Sequence, residues 1–202
     1  MIPRPMRLIG LTGGIASGKS TAAKILAALG LPVLDTDEVV HRLLEPGGAA
    51  YPRVVETFGP DILDGKGRID RGRLGKKVFA DPEARGRLEA IVHPLVEAEV
   101  RRWIAQQEAE GHDWAVLEVP LLVEAGWDRW VDEVWVVDVP VEVQVERLMR
   151  ERGFSREEAL SRIQAQIPRE ARLARATRVI ANRGTVEELE AELHRAWQEL
   201  SS

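Results

Sequence analysis

The 202-residue sequence has no cysteine, one tyrosine and three methionines, and only 5% of its residues are aromatic. The missing thiols exclude disulfides, thiolate metal sites and cysteine nucleophiles. No apolar run approaches the roughly 18 residues of a membrane-spanning helix. A broad cationic surface is missing as well. Twenty-eight Lys+Arg against 33 Asp+Glu give a net charge of −5, which argues against a nucleic-acid partner. With 45% hydrophobic residues, the chain is long enough for one domain with a sizeable core. The expectation is a cytoplasmic enzyme without a membrane partner, with a monomer the favoured state.

The net charge hides an asymmetry. Between Gln144 and Arg183 stand ten arginines, no lysine and five glutamates, so this segment carries +5 and the remainder −10. Guanidinium groups stay protonated and bind phosphate oxygens in pairs. The segment therefore reads either as a polyanion clamp or as a helical hairpin with solvated charges.

Apolar segments alternate with helical patterns. Strands are expected at Arg7–Leu11, Pro32–Leu34, Trp114–Val119, Glu133–Val139 and, most weakly, Arg178–Ala181. Their β-branched content suits buried parallel strands. Ala22, Ile25, Leu26 and Leu29 recur at helical spacing and end at Gly30, a left-handed cap. Asp81-Pro82 starts a helix, Asp64-Gly65-Lys66-Gly67 marks a tight turn, and Ser155…Glu158 and Thr185…Glu188 fit reciprocal capping boxes. Of the six tryptophans, most are expected in or near the core. Alternating strands and helices predict a single α/β domain over 1–202, with a parallel sheet and right-handed crossovers. Its subregions are a mostly helical region, 38–112, and an Arg-rich helical segment, 141–176.

Gly13-Gly14-Ile15-Ala16-Ser17-Gly18-Lys19-Ser20 matches G-x-x-x-x-G-K-[ST] between an apolar strand and an amphipathic helix. The glycines let successive N–H groups turn around a phosphate, and the helix N-terminus adds partial positive charge. Lys19 reaches the β- and γ-phosphates, while the Ser20 hydroxyl can ligate Mg²⁺ through the bound ATP. Gly14, Ile15, Ala16, Ser17, Gly18, Lys19, Ser20 and Thr21 form the candidate nucleotide-binding set. The motif also accounts for the short apolar stretch from Arg7 to Ala16, which otherwise mimics a signal peptide.

A phosphate loop specifies a nucleoside triphosphate, not a reaction. A GTPase would show Asn/Thr-Lys-x-Asp after a late strand, and none is present. A kinase is the leading reading, against a catalytically idle nucleotide-binding regulator. Asp35-Thr36-Asp37 follows the second strand at the sheet edge that carries the loop. Asp35 or Thr36 can cap the next helix, and a cap by Asp35 aims Asp37 from the first turn, where it can orient and deprotonate an acceptor hydroxyl. Glu118, ending the third strand, faces the metal directly or through water, or is a buried acid satisfied by backbone N–H groups. His93 before Pro94 either touches substrate or sits at a helix junction. Arg71 either meets an acceptor phosphate or is an exposed helix charge. The remaining histidines have no zinc-ligand spacing.

In order, the chain carries Leu11-Thr-Gly-Gly-Ile-Ala-Ser-Gly-Lys-Ser20, Asp35-Thr-Asp37, Arg71…Leu74…Val78-Phe79, His93-Pro94-Leu95, Val119-Pro-Leu-Leu-Val-Glu124, Val136-Val-Asp-Val-Pro140, Gln144-Val-Glu-Arg147, Gln166 and Val179-Ile-Ala-Asn182. Over nearly its whole length it resembles the dephospho-CoA kinases. The resemblance implies MgATP-dependent phosphorylation of the ribose 3′-hydroxyl of dephospho-CoA, giving CoA and ADP. It implies a P-loop NTPase three-layer fold, with a five-stranded parallel sheet flanked by helices, a helical substrate-binding region and a mobile lid at 141–176. It makes Asp37 the catalytic base, with Lys19 and Arg147 beside it in catalysis. Arg147 also contacts ATP phosphates and Asn182 lies near the adenine. Asp35, Asp37, Arg71, His93 and Leu121 are the candidate residues facing the acceptor. Another small-molecule or nucleotide kinase is the alternative within the class. Two positions depart from the family pattern. Ala16 replaces a usual glycine, which would strain a left-handed backbone by about 1–2 kcal/mol, and Thr177 replaces a usual aspartate.

Overall fold

The computed structural model describes residues 5–202, so residues 1–4 of the expected 1–202 domain lie outside the described residues. The chain divides into two compact units, one made of residues up to Leu34 together with Gln107–Ser202, the other of Asp35–Gln106.

The first unit is built on a five-stranded sheet. Its strands are β1 (Arg7–Gly13), β2 (Val33–Asp35), β3 (Trp114–Glu118), β4 (Glu133–Asp138) and β5 (Arg178–Ala181), in the order β2-β3-β1-β4-β5. Each of the five expected strands is present, with ends shifted by no more than two residues. The β1–β3, β1–β4 and β4–β5 ladders are parallel, and Val116 N donates to Pro32 O at 2.8 Å beside β2. Burial follows from the composition: β3 is buried along its whole length and β1 after its first residue, as parallel strands covered on both faces require. Helix α1 (Lys19–Ala28) returns from β1 and ends on Gly30 at φ 92°, the expected left-handed cap. Ile9, Leu11, Leu26, Trp135, Ile180 and Leu193 are among the residues that fill the core.

In the second unit, α2 (Thr36–Leu44), α3 (Tyr51–Phe58) and α4 (Arg71–Phe79) precede α5 (Pro82–Ala109). Asp81 caps α5 by accepting from Glu83 N and Ala84 N at 2.9 and 3.2 Å. The turn at Asp64–Gly67 closes with Asp64 N donating to Arg68 O at 2.8 Å. The Asp64 carboxylate accepts from the Arg68 and Lys66 amides, which hold its pKa below the usual value.

One expectation is corrected here. A helix junction at His93-Pro94 is absent, because α5 runs unbroken through Pro94. Proline forfeits one backbone hydrogen bond, yet Ile91, Val92, Val96 and Val100 continue one buried stripe across it.

After β5 comes α9 (Val186–Ser201), and between β4 and β5 lie α6 (Val141–Arg152), α7 (Arg156–Gln164) and α8 (Arg169–Leu173). Both capping boxes, Ser155 with Glu158 and Thr185 with Glu188, are formed.

Candidate active site

The segment from Gly13 to Lys19 joins the end of β1 to the start of α1, so the loop sits at the carboxyl edge of the sheet's central strand. Glu118, the last residue of β3 beside β1, is 4% exposed. Its Oε1 accepts from Lys19 Nζ at 3.0 Å and from Ser20 Oγ at 3.1 Å. One carboxylate oxygen thus fixes the ammonium and the hydroxyl that the loop motif singles out.

The other side of the loop is held by α6 and the chain after β5. Arg147 Nη1 donates to Ala16 O and Ser17 O at 3.1 and 3.2 Å, and its Nη2 donates to Asn182 O at 3.0 Å. Asn182 Nδ2 donates to Ser17 O at 2.8 Å. Gln144 Nε2 donates to Ile15 O at 2.7 Å, while Ile15 N donates to Gln166 Oε1 at 2.8 Å. The two glutamines therefore tie both backbone groups of Ile15. Beyond them, Asp138 at the end of β4 receives Arg169 in a two-pronged pair at 2.7 and 2.6 Å, which raises the arginine's pKa.

Gly14 to Ser20, Glu118, Arg147 and Asn182 thus form one constellation, with Thr21 following in the first turn of α1. The other predicted residues lie elsewhere on the chain. Asp35 caps α2, its Oδ1 accepting from Asp37 N at 2.8 Å, so Asp37 stands in the first turn as expected. Arg71 and His93 are exposed on α4 and α5, and Leu121, after β3, is 49% exposed. The Arg-rich segment divides between its two readings. Arg150, Arg156, Arg169, Arg175 and Arg178 pair with Glu151, Glu142, Asp138, Asp128 and Glu199, and Arg147 and Arg172 are the two that come to the loop. Arg172 and the Asp138–Arg169 pair were not singled out in the sequence. Only the end of a strand at Asp138 hinted at them.

A family model for dephospho-CoA kinase matches residues 7–188. The chain belongs to the dephospho-CoA kinase family. A dephospho-CoA kinase from Symbiobacterium thermophilum is 49% identical over 193 residues, covering 96% of this chain and 81% of its own. A crystal structure from Thermus thermophilus superposes with a TM-score of 0.83 at 40% identity, over 98% of this chain and 100% of its own. A dephospho-CoA kinase from Campylobacter jejuni does so with a TM-score of 0.72 at 28% identity, over 96% of each.

Both departures from the dephospho-CoA kinase pattern have structural readings. Ala16 adopts φ 57° and is the one non-glycine residue with positive φ among the described residues; its methyl packs beside Val145, Leu148 and Ala159. Thr177 precedes β5, at the edge of the parallel sheet opposite the loop. Its Oγ1 accepts from Val134 N at 2.9 Å and donates to Glu133 Oε2 at 2.5 Å, so it fastens the start of β4.

Proposed function

We propose that the chain transfers the terminal phosphoryl group of ATP to the ribose 3′-hydroxyl of dephospho-CoA. The observation that carries this reading is the Lys19–Glu118–Ser20 arrangement on a loop braced by Arg147 and Asn182, in a member of this family. The backbone N–H groups of the loop and the Lys19 ammonium cradle the phosphates, and transfer of this kind depends mostly on positioning and charge stabilisation. Asp37 accepts the proton as the acceptor oxygen bonds to phosphorus. The bond to the bridging oxygen breaks, and ADP leaves with the electron pair. The Asp35 cap orders the turn from which Asp37 acts. The acceptor is assigned to the helical region 38–112, where Arg71 offers an exposed guanidinium. The segment 141–176 is assigned the role of lid.

The donors present suit Mg²⁺. Among the described residues no cluster of three acidic or histidine side chains could cage a metal. The Ser20 hydroxyl and Glu118 carboxylate instead supply the sparse oxygen set that Mg²⁺ takes when substrate phosphates complete its shell. Ser20 would hold the ion directly and Glu118 through water, and the ion would neutralise charge on the phosphate oxygens.

A coupled ADP-release assay tests the reading. ADP formation that requires dephospho-CoA is expected. Formation with adenylate instead identifies a nucleotide kinase, and no formation with any acceptor identifies a regulator. In the same assay Asp37→Asn is expected to lower turnover by roughly 10² or more while ATP binding survives, since a general base contributes about 10²–10⁴-fold. Turnover within a few-fold of wild type would remove Asp37 from that role.

A further inference from the structure

Arg172 is 6% exposed, yet its guanidinium is poorly compensated. Its Nε is buried without a hydrogen-bond partner. Nη2 lies 3.5 Å from Ile167 O and 3.9 Å from Glu124 Oε1, both long for a charged group. The nearby Asp138 carboxylate is already engaged by both prongs of Arg169. Burial pulls the Arg172 pKa down, opposed by the more distant pull of Glu124 and Asp138. An interior cation left in this condition is costly, so its retention asks for a function.

Its location supplies one. A methyl group built on Gly14 would come within 3.1 Å of Arg172 Nη1 and 2.6 Å of Gln144 Nε2. The bare Cα of Gly14 therefore makes room for the guanidinium at the amino end of the phosphate loop, whereas Lys19 serves its carboxyl end. Arg172 also lines a cavity of about 290 Å³ together with Gln144, Gln166, Arg169 and Glu170. A planar fork of N–H donors with spare capacity, beside a loop whose backbone is shaped for phosphate, matches a phosphate group in charge and geometry.

We propose that Arg172 is a further phosphate-binding residue, contacting the terminal phosphate of the nucleoside triphosphate held on the loop. The proposal rests on the kinase reading and adds to it a means of telling a triphosphate from a diphosphate. ATP and ADP affinities of the full chain are to be measured by titration calorimetry with Mg²⁺, for wild type, Arg172→Ala and Arg172→Lys, with turnover of dephospho-CoA and thermal melts alongside.

The expected result for Arg172→Ala is ATP binding weakened by about 10- to 100-fold, the range of a charge-assisted hydrogen bond, with ADP binding changed by less than about 3-fold. Its melting temperature is expected to be unchanged or higher, because a poorly paired buried charge has gone. Arg172→Lys keeps the charge and loses the fork, so it is expected to restore little. Equal losses for ATP and ADP, or no loss for either, would overturn the proposal. A lowered melting temperature with the ATP-to-ADP ratio intact would make Arg172 a structural strut and overturn it too. If Arg172→Ala does not fold, the same affinity ratio read on Arg172→Lys decides between the two. Wild type that binds ATP but does not phosphorylate dephospho-CoA would count against the kinase reading alone.

Discussion

Ala16 is the residue at which the conformation of the loop and its packing pull in opposite directions. A left-handed backbone costs an alanine about 1–2 kcal/mol relative to glycine. Against this, the half-buried methyl contributes up to about 0.8 kcal/mol, and a glycine would have more freedom to lose on folding. The terms nearly cancel, so Ala16→Gly is expected to move the melting temperature by no more than about 2–4 °C, the shift that about 1 kcal/mol produces in a chain of this length. A rise well beyond that in a calorimetric melt would show that strain dominates and that the contact with Val145, Leu148 and Ala159 contributes little. The identity of the loop residues was legible in the sequence, because spacing and residue type define a phosphate loop. The sign of φ at Ala16 was not, since it depends on the turn made by the whole loop. Nor could the place of Thr177 be read. Its hydroxyl is tied to Glu133 and Val134, more than forty positions earlier in the chain, and nothing local announces such a pair.

Helix α6 shows how an element read correctly can serve a purpose its sequence does not state. Arg147 and Arg150 are three apart, a spacing that puts side chains near one another on a helix, but Arg150 is exposed and pairs with Glu151, while Arg147 turns inward to three backbone carbonyls. The helix was visible because propensity, capping and periodicity are local properties. The capping boxes of α7 and α9 were visible for the same reason. The grip of α6 on the loop joins residues about 130 positions apart and is set by the sheet order. A lid that carries Arg147 onto the transferring phosphoryl group would lower kcat more than ground-state ATP binding when Arg147 is replaced by alanine. The carbonyl contacts add an effect that precedes any substrate. Removing a charged donor from these acceptors costs about 2 kcal/mol, so Arg147→Ala is expected to melt roughly 4–8 °C lower without nucleotide. Arg147→Lys is expected to melt nearly as low, because an ammonium cannot fork between carbonyls of the loop and Asn182. A variant with unchanged melting temperature and strongly reduced kcat would assign Arg147 to the phosphoryl group and not to the loop.

At the scale of the molecule, the uneven charge has two outlets. Most of the +5 of the Arg-rich segment meets acidic partners within the first unit, and the share proposed for phosphate is Arg147 and Arg172. A small anionic ligand needs only such a focus, which is why a chain of net charge −5 can bind nucleotides. The division into two units separates the loop, with Glu118, Arg147 and Asn182, from the helices beginning at Asp35. If nucleotide and acceptor are taken up by different units, each ligand should protect a different set of amides from hydrogen exchange, because binding suppresses the local openings through which amides exchange. MgATP alone is expected to slow exchange at residues 13–21 and along α6. Dephospho-CoA alone is expected to slow exchange within 35–106 and to leave the loop nearly unaffected. Protection by dephospho-CoA confined to the sheet unit would move the acceptor out of the helical region. Protection of both units by either ligand alone would mean that the two are energetically coupled before any phosphoryl group is transferred, and rates measured with each single-site variant would then report the coupled pair.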